Sequence, residues 1–147
     1  MQGGNLSDGV LFAYGTLQVP GVMSALIGRV PRCCPARLAG YARYKVRSRS
    51  YPGIVRHLNS SVDGLVYFDL TYDELAILDA FEDDLYVREV VYVDIREGCS
   101  TSARAYTVVG ENARLLDVTA PWSLDEFIRD HRAGYIHHCE TFRSYFA

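Results

Sequence analysis

Only three stretches of this sequence carry helical periodicity, and strand-like runs fill the space between them. The first stretch runs from Pro20 to Gly28, with proline in the first turn, glycine past the end, and Met23, Leu26 and Ile27 on one face. The second opens on Thr71-Tyr72-Asp73-Glu74, a capping box with Leu70 and Leu75 placed to form a hydrophobic staple, and reaches Phe81 or Glu82. The third starts at Ser123, with Glu126 completing a second capping box and Leu124, Phe127, Ile128, Tyr135 and Phe142 on one face. Between them, Cys33 to Val46 reads as one or two strands. Tyr51-Pro52-Gly53 is a turn into the next strand, and Asn59-Ser60-Ser61 is another turn. Val62 to Leu70 reads as a strand with Gly64 a possible bulge, and Tyr86 to Arg96 and Ala103 to Val109 read as a hairpin. Glu111 to Pro121 reads as a loop or irregular crossing. Helices are too few for a doubly wound parallel sheet. The expected class is α+β: a small mixed, strongly curved β-sheet or barrel with flanking helices and a C-terminal helix.

A chain of 147 residues suits one domain, residues 1–147. Met1 to Asp8 is polar, lacks the parts of a signal peptide, and is expected to be a loose tail. A net charge of −3 argues against a general nucleic-acid or anionic-membrane binder, and no apolar run approaches transmembrane length. Cys33, Cys34, Cys99 and Cys139 match no zinc or redox spacing, so reduced thiols in the cytoplasm are the expectation. The vicinal Cys33-Cys34 pair reads as reactive or as two strand residues. His131, His137, His138 and Cys139 form no known ligand set, and no metal is expected. Oligomeric state is not legible.

Three features suit a site. The first is the run Val10 to Tyr14, which breaks at Gly15 and exposes Thr16. A buried strand ended by glycine allows close backbone approach, and amides after such a turn can converge on an anion; an ordinary strand exit reads the same way. The second is Glu82, in line with Leu75 and Leu78 at helical spacing. There it is either a helix-end residue that escapes to water or a half-buried base with a raised pKa. The other acids nearby, Asp79, Asp83 and Asp84, read as solvated. The third is the stripe Arg43, Lys45, Arg47 and Arg49, which shares one face of an extended chain. It suits a solvated sheet face or an anion-attracting wall.

Five segments, in order, resemble the gamma-glutamylcyclotransferase-like superfamily, and within it the plant avirulence-induced-gene-like branch and the gamma-glutamylamine cyclotransferases. They are Phe12-Ala13-Tyr14-Gly15-Thr16-Leu17, Tyr51-Pro52-Gly53-Ile54-Val55, Asp63-Gly64-Leu65-Val66-Tyr67, Leu78-Asp79-Ala80-Phe81-Glu82 and Tyr86-Val87-Arg88. The region from Trp122 to Phe142 resembles the plant-like branch's C-terminal helix. The resemblance implies a small mixed barrel. It implies that Tyr14, Gly15, Thr16 and Leu17 hold a glutamyl group, with Gln18 and Val19 at the margin, and that Glu82 is the catalytic acid/base. Tyr51 and Arg88 are possible rim residues. Val19 and Pro20 stand where many members carry polar residues. The implied reaction is attack of a γ-glutamyl α-amine on its own γ-carbonyl, releasing 5-oxoproline and an amine or amino acid. It needs no metal or organic cofactor, and its partner is a small-molecule substrate. The alternative is a non-catalytic member that binds a small carboxylate or a protein partner.

Overall fold

A ring of five strands, closed on itself, organises the chain. The computed structural model describes residues 9–96 and 98–146; the expected N-terminal tail lies outside them. The strands are β1 (Leu11–Ala13), β2 (Cys33–Val46), β3 (Pro52–Tyr67), β4 (Val87–Arg96), β5 (Cys99–Thr107) and β6 (Leu116–Pro121). The sheet order is β3-β1-β5-β4-β2-β6, and a β2–β3 pairing closes β3, β1, β5, β4 and β2 into a barrel with β6 added beside β2. The β1–β5 pair is parallel and the other pairs are antiparallel. This is the mixed, strongly curved arrangement expected from the scarcity of helices.

Asn59-Ser60-Ser61 is not a turn. β3 runs through it, paired to β2, and the ladder slips between Ala39 and Tyr41 while Gly40 and Asn59 take positive φ (83° and 69°). Local turn chemistry is therefore used as a bend inside a long strand, which lets the sheet curl without losing pairing. Gly64 is no bulge, because its pairing with Ala36 is regular. Its role is close approach: a Cβ there would sit 2.3 Å from the Ala13 carbonyl oxygen. β6 falls in the stretch read as irregular. It is an exposed edge strand, so it shows no burial alternation.

The helices are α1 (Pro20–Ile27), α2 (Tyr72–Glu82), α3 (Leu124–Asp130) and α4 (Arg132–Phe146). α1 ends on Gly28 at φ 82°, the left-handed cap that glycine accepts readily. α2 has its full capping box: Thr71 Oγ1 accepts from the Glu74 amide and the Glu74 carboxylate accepts from the Thr71 amide. The second box is half made. Ser123 Oγ accepts from the Glu126 amide, but the Glu126 carboxylate accepts from Lys45 Nζ at 3.0 Å. The expected single C-terminal helix is two, divided at His131.

One core cluster joins β1, α1 and α2 to the C-terminal helices through Leu11, Leu26, Leu78, Phe127 and Cys139. A second, built on Phe12, Leu38, Ile54, Val66 and Val91, fills the barrel. β1 thus sits between two cores, and the chain leaving it at Tyr14 is held from both sides. None of the helices among the described residues is long and apolar enough to cross a membrane.

Candidate active site

β1 ends at Ala13, and the next four residues make a tight loop. Gly15 leads into a 3-10 turn, Thr16–Gln18, followed directly by α1. The carbonyls of this loop are all occupied by protein donors. Arg43 Nη1 donates to the Tyr14 carbonyl at 2.7 Å. The Gln18 amide and side chain donate to the Gly15 carbonyl, and the Val19 amide donates to the Thr16 carbonyl. The buried Tyr67 hydroxyl donates to the Leu17 carbonyl at 2.7 Å. All described peptides are trans, so each carbonyl points away from the N–H of its own peptide. The amides of Gly15, Thr16 and Leu17 each point away from the carbonyl so held on their own peptide.

Opposite this loop lies the end of α2. Leu75 and Leu78 are buried in the core, and Glu82, one turn beyond Leu78, shares their side of the helix. Glu82 and residues Tyr14 to Leu17 line one small pocket, about 30 Å³ by the volume open to water, together with Phe12, Ala13, Tyr51, Pro52, Tyr86, Tyr106 and Tyr135. A second pocket shares Tyr51, Glu82, Tyr86 and Tyr135 with it and is lined in addition by Phe81, Leu85 and Phe142. Glu82 therefore lines both.

The residue as a whole is half-buried, but its carboxyl group is desolvated. Burial first, and the charge of Asp79 second, raise its pKa to about 8. The hydroxyls around it stay protonated. Tyr14 and Tyr135 are raised mainly by burial and next by the charge of Glu82. Tyr86 is raised by burial and then by the charges of Tyr14 and Glu82, and Tyr106 by burial and then by its bond to Asp79. The Cys139 thiol, buried behind Glu82, is pushed up to about 12 by the same two causes in the same order, burial and then Glu82. Glu82 is thus the group beside the pocket poised to change charge near neutral pH.

Asp79, read from sequence as a solvated acid, is exposed and is also held by partners. It accepts from Arg88 Nε at 2.8 Å, Arg88 Nη2 at 3.1 Å and the Tyr106 hydroxyl at 2.7 Å. Arg88 consequently lies outside the pocket, on the far side of Tyr106, lining a separate groove with Tyr72 and Arg104. Gln18 and Val19 do not line the pocket either: Gln18 folds back on Gly15, and Val19 is 4% exposed in the core. Tyr51 does line it. Sequence reasoning missed Tyr106 and Tyr135 altogether. Tyr106 carried no local signal, and Tyr135 was visible only as one apolar position on a helix face. The basic stripe does not act as one surface: Lys45 pairs with Glu126, Arg47 donates to the Arg114 carbonyl, Arg49 to the Ser48 carbonyl, and Arg43 turns to the loop. Cys33 is exposed and Cys34 half-buried. No His/Cys/Asp/Glu cluster fit for a metal occurs among the described residues.

A closed mixed barrel thus brings a glycine turn and one desolvated carboxyl group into the lining of one pocket. A family model described as gamma-glutamyl cyclotransferase, AIG2-like, matches residues 11–124, and the chain belongs to that family. AIG2-like protein D of Arabidopsis thaliana is 32% identical over 126 residues, covering 86% of this chain and 83% of that one. A solution structure of an Arabidopsis thaliana protein superposes with a TM-score of 0.68 at 28% identity, covering 92% of this chain and 90% of that one. A solved gamma-glutamyl cyclotransferase superposes at 0.61 over 69% of this chain and 67% of its own; at 21% identity it speaks for the fold alone.

Proposed function

We propose that the protein is a γ-glutamyl cyclotransferase, releasing 5-oxoproline and an amine or amino acid from a small γ-glutamyl substrate in the cytoplasm. The observation that carries this reading is one small pocket lined both by the Gly15 turn and by a carboxyl group whose pKa is near 8. A γ-glutamyl group carries its amine and its α-carboxylate on one carbon. A site for it needs a base and a set of anion donors within hydrogen-bond reach, roughly 3 Å, of neighbouring atoms. The amides of Gly15 to Leu17 suit the carboxylate, and Glu82 suits the amine.

The steps then balance without a cofactor. Ionised Glu82 takes a proton from the α-ammonium. The freed nitrogen attacks the γ-carbonyl carbon, forming the ring C–N bond and moving the carbonyl pair onto oxygen. Collapse of the oxyanion breaks the bond to the leaving nitrogen, which takes the proton that Glu82 holds. Glu82 then carries the second proton from the ring nitrogen to the departing amine. Holding the chain folded supplies the proximity such a ring closure needs. The Tyr135 hydroxyl, which accepts from Thr16 Oγ1, keeps its own proton to offer the developing oxyanion, whereas Tyr14, Tyr86 and Tyr106 donate theirs to the Tyr106 carbonyl, the Pro52 carbonyl and Asp79.

The deciding experiment is incubation with a panel of γ-glutamyl amino acids, amines and peptides, with 5-oxoproline measured directly. Release from at least one substrate class is expected. Tight binding of such compounds without release identifies a binding protein of this fold and ends the enzymatic reading.

The pKa of Glu82 also sets a pH profile. The productive complex needs one proton shared between Glu82, near 8, and an α-amine, which titrates near 8 in model compounds. The plot of kcat/KM against pH is therefore expected to peak near pH 8. Asp79→Asn removes the charge that helps to raise Glu82, so its acid limb is expected to move to lower pH. An acid limb that stays put or moves upward contradicts the assignment of Asp79 as the tuning charge.

A further inference from the structure

We propose that Arg43 is the positioning residue that sets the anion-binding amide of Gly15; this rests on the reading of the loop as the carboxylate cradle. Arg43 belongs to the basic stripe, but it alone reaches the loop. Its Nη1 donates to the Tyr14 carbonyl at 2.7 Å and to the Asp63 carbonyl at 3.2 Å. Its guanidinium lies over the Trp122 ring, 5.2 Å from the centroid. Trp122 is itself fixed, buried at 4% exposure with its indole N–H donated to the Ser50 carbonyl at 2.7 Å. The guanidinium is thus held over an aromatic plane, and its Nη1 bridges the Asp63 carbonyl of β3 and the Tyr14 carbonyl of the loop.

The loop peptide so held joins Tyr14 to Gly15. Its carbonyl faces Arg43, so its N–H faces the opposite side. Gly15 lines the pocket, and Arg43 does not. The cation therefore acts through the peptide without touching the ligand. It fixes the plane, and by drawing charge onto the carbonyl oxygen it strengthens the N–H on the far side as a donor. The other loop carbonyls are held by the neutral donors of Tyr67, Gln18 and Val19, so the Tyr14–Gly15 peptide is the one polarised by a charge. Glycine carries no side chain to hold its own orientation, which makes an external clamp at this peptide effective. Lysine is a poor replacement, because a compact ammonium lacks the planar face that stacks on Trp122.

The test uses the full chain labelled with 15N and compares Arg43→Met, which keeps a long unbranched side chain and removes the cation, with Arg43→Lys and with Arg49→Gln as a control. Three quantities are read: the Gly15 amide resonance, the dissociation constant of 5-oxoproline, and KM and kcat on the substrate found by the panel assay. In Arg43→Met the Gly15 amide is expected to shift and to exchange faster with solvent. Affinity for 5-oxoproline is expected to fall about 10-fold, the scale of losing one charge-assisted bond. KM rises by a similar factor while kcat changes less. Arg43→Lys gives intermediate values, and Arg49→Gln matches the wild type. If Arg43→Met does not fold, the lysine variant carries the test alone. A Gly15 amide and an affinity both unchanged in either folded variant overturn the proposal. If the wild-type protein neither makes nor binds 5-oxoproline, the cyclotransferase reading fails. The Gly15 resonance still decides whether Arg43 sets that amide.

Discussion

Glu82→Gln is expected to abolish 5-oxoproline release and to make the protein more stable. Glutamine keeps the shape of the side chain but cannot take the α-ammonium proton, and general acid–base groups contribute on the order of 100-fold or more to rate. The stability gain comes from the same desolvation that makes the residue useful. In the folded protein the Glu82 carboxyl stays protonated up to about pH 8. In the unfolded chain a glutamate ionises near pH 4.3. Between those values the unfolded state releases a proton that the folded state retains, so stability falls as pH rises, by roughly 1.4 kcal/mol per unit. The loss is complete above the folded pKa and absent below the unfolded one. Glutamine has no such penalty. The variant should therefore melt higher than wild type, with a gap that is small at pH 5 and widest at pH 9, where it reaches a few kcal/mol. Tyr14, Tyr86, Tyr106, Tyr135 and Cys139 do not enter the gap, because burial raises each of them out of this window in the folded protein and both variants carry them. Thermal melts at the two pH values, run beside the 5-oxoproline assay, check both halves. A variant that turns over normally removes Glu82 from the mechanism. A melting gap that does not widen with pH shows that its carboxyl is not desolvated.

What could be read from the sequence was what short-range physics controls. The capping box at Thr71 and the spacing of Leu75, Leu78 and Glu82 depend on one helix, and the structure has both. The break at Gly15 was equally visible, but not its cause. Its φ is −128°, so no left-handed backbone calls for glycine there. The real constraint is the ring of Pro52, which comes from another strand and leaves no mark near residue 15. Long-range effects account for the other differences. Asn59 has turn chemistry, but pairing across to β2 keeps the chain in a strand. β6 is held as an edge by β2, with Val118 64% exposed, so it lacks the alternation that marks a half-buried strand. Tyr106 and Tyr135 reach the pocket from β5 and α4, and only the pairing of β5 in the barrel and the packing of α4 on the helical core bring them to Glu82. Arg43 looked like one member of a solvated stripe because its partners, Tyr14 and Trp122, lie 29 residues before it and far along the chain after it.

Gly15→Val is expected to destroy the pocket at a moderate cost to the fold. A Cβ at this position would lie 2.8 Å from Pro52 Cγ and 2.9 Å from Pro52 Cδ. Those distances are below any normal carbon contact, and a proline ring cannot swing aside as a flexible side chain does. Either the loop must lift or Pro52 must move. Both lie against the pocket, and moving Pro52 also pulls on Tyr86, whose hydroxyl donates to the Pro52 carbonyl at 2.6 Å. Valine adds two methyl groups to a contact that alanine would already break. The φ of Gly15 is not left-handed, and the clash with Pro52 centres the damage on the cradle. Loss of fold stability should stay in the range of overpacking, about 1–3 kcal/mol. Ligand affinity should fall much further, because misplaced amides lose the carboxylate together, at roughly 1.5–3 kcal/mol for each charge-assisted bond. Two such bonds correspond to about 100-fold or more. Calorimetric titration with 5-oxoproline beside thermal unfolding separates the two effects, and Gly15→Ala should fall between wild type and valine in both. A folded Gly15→Val protein that binds 5-oxoproline as tightly as wild type would show that the turn after β1 is not where the carboxylate sits.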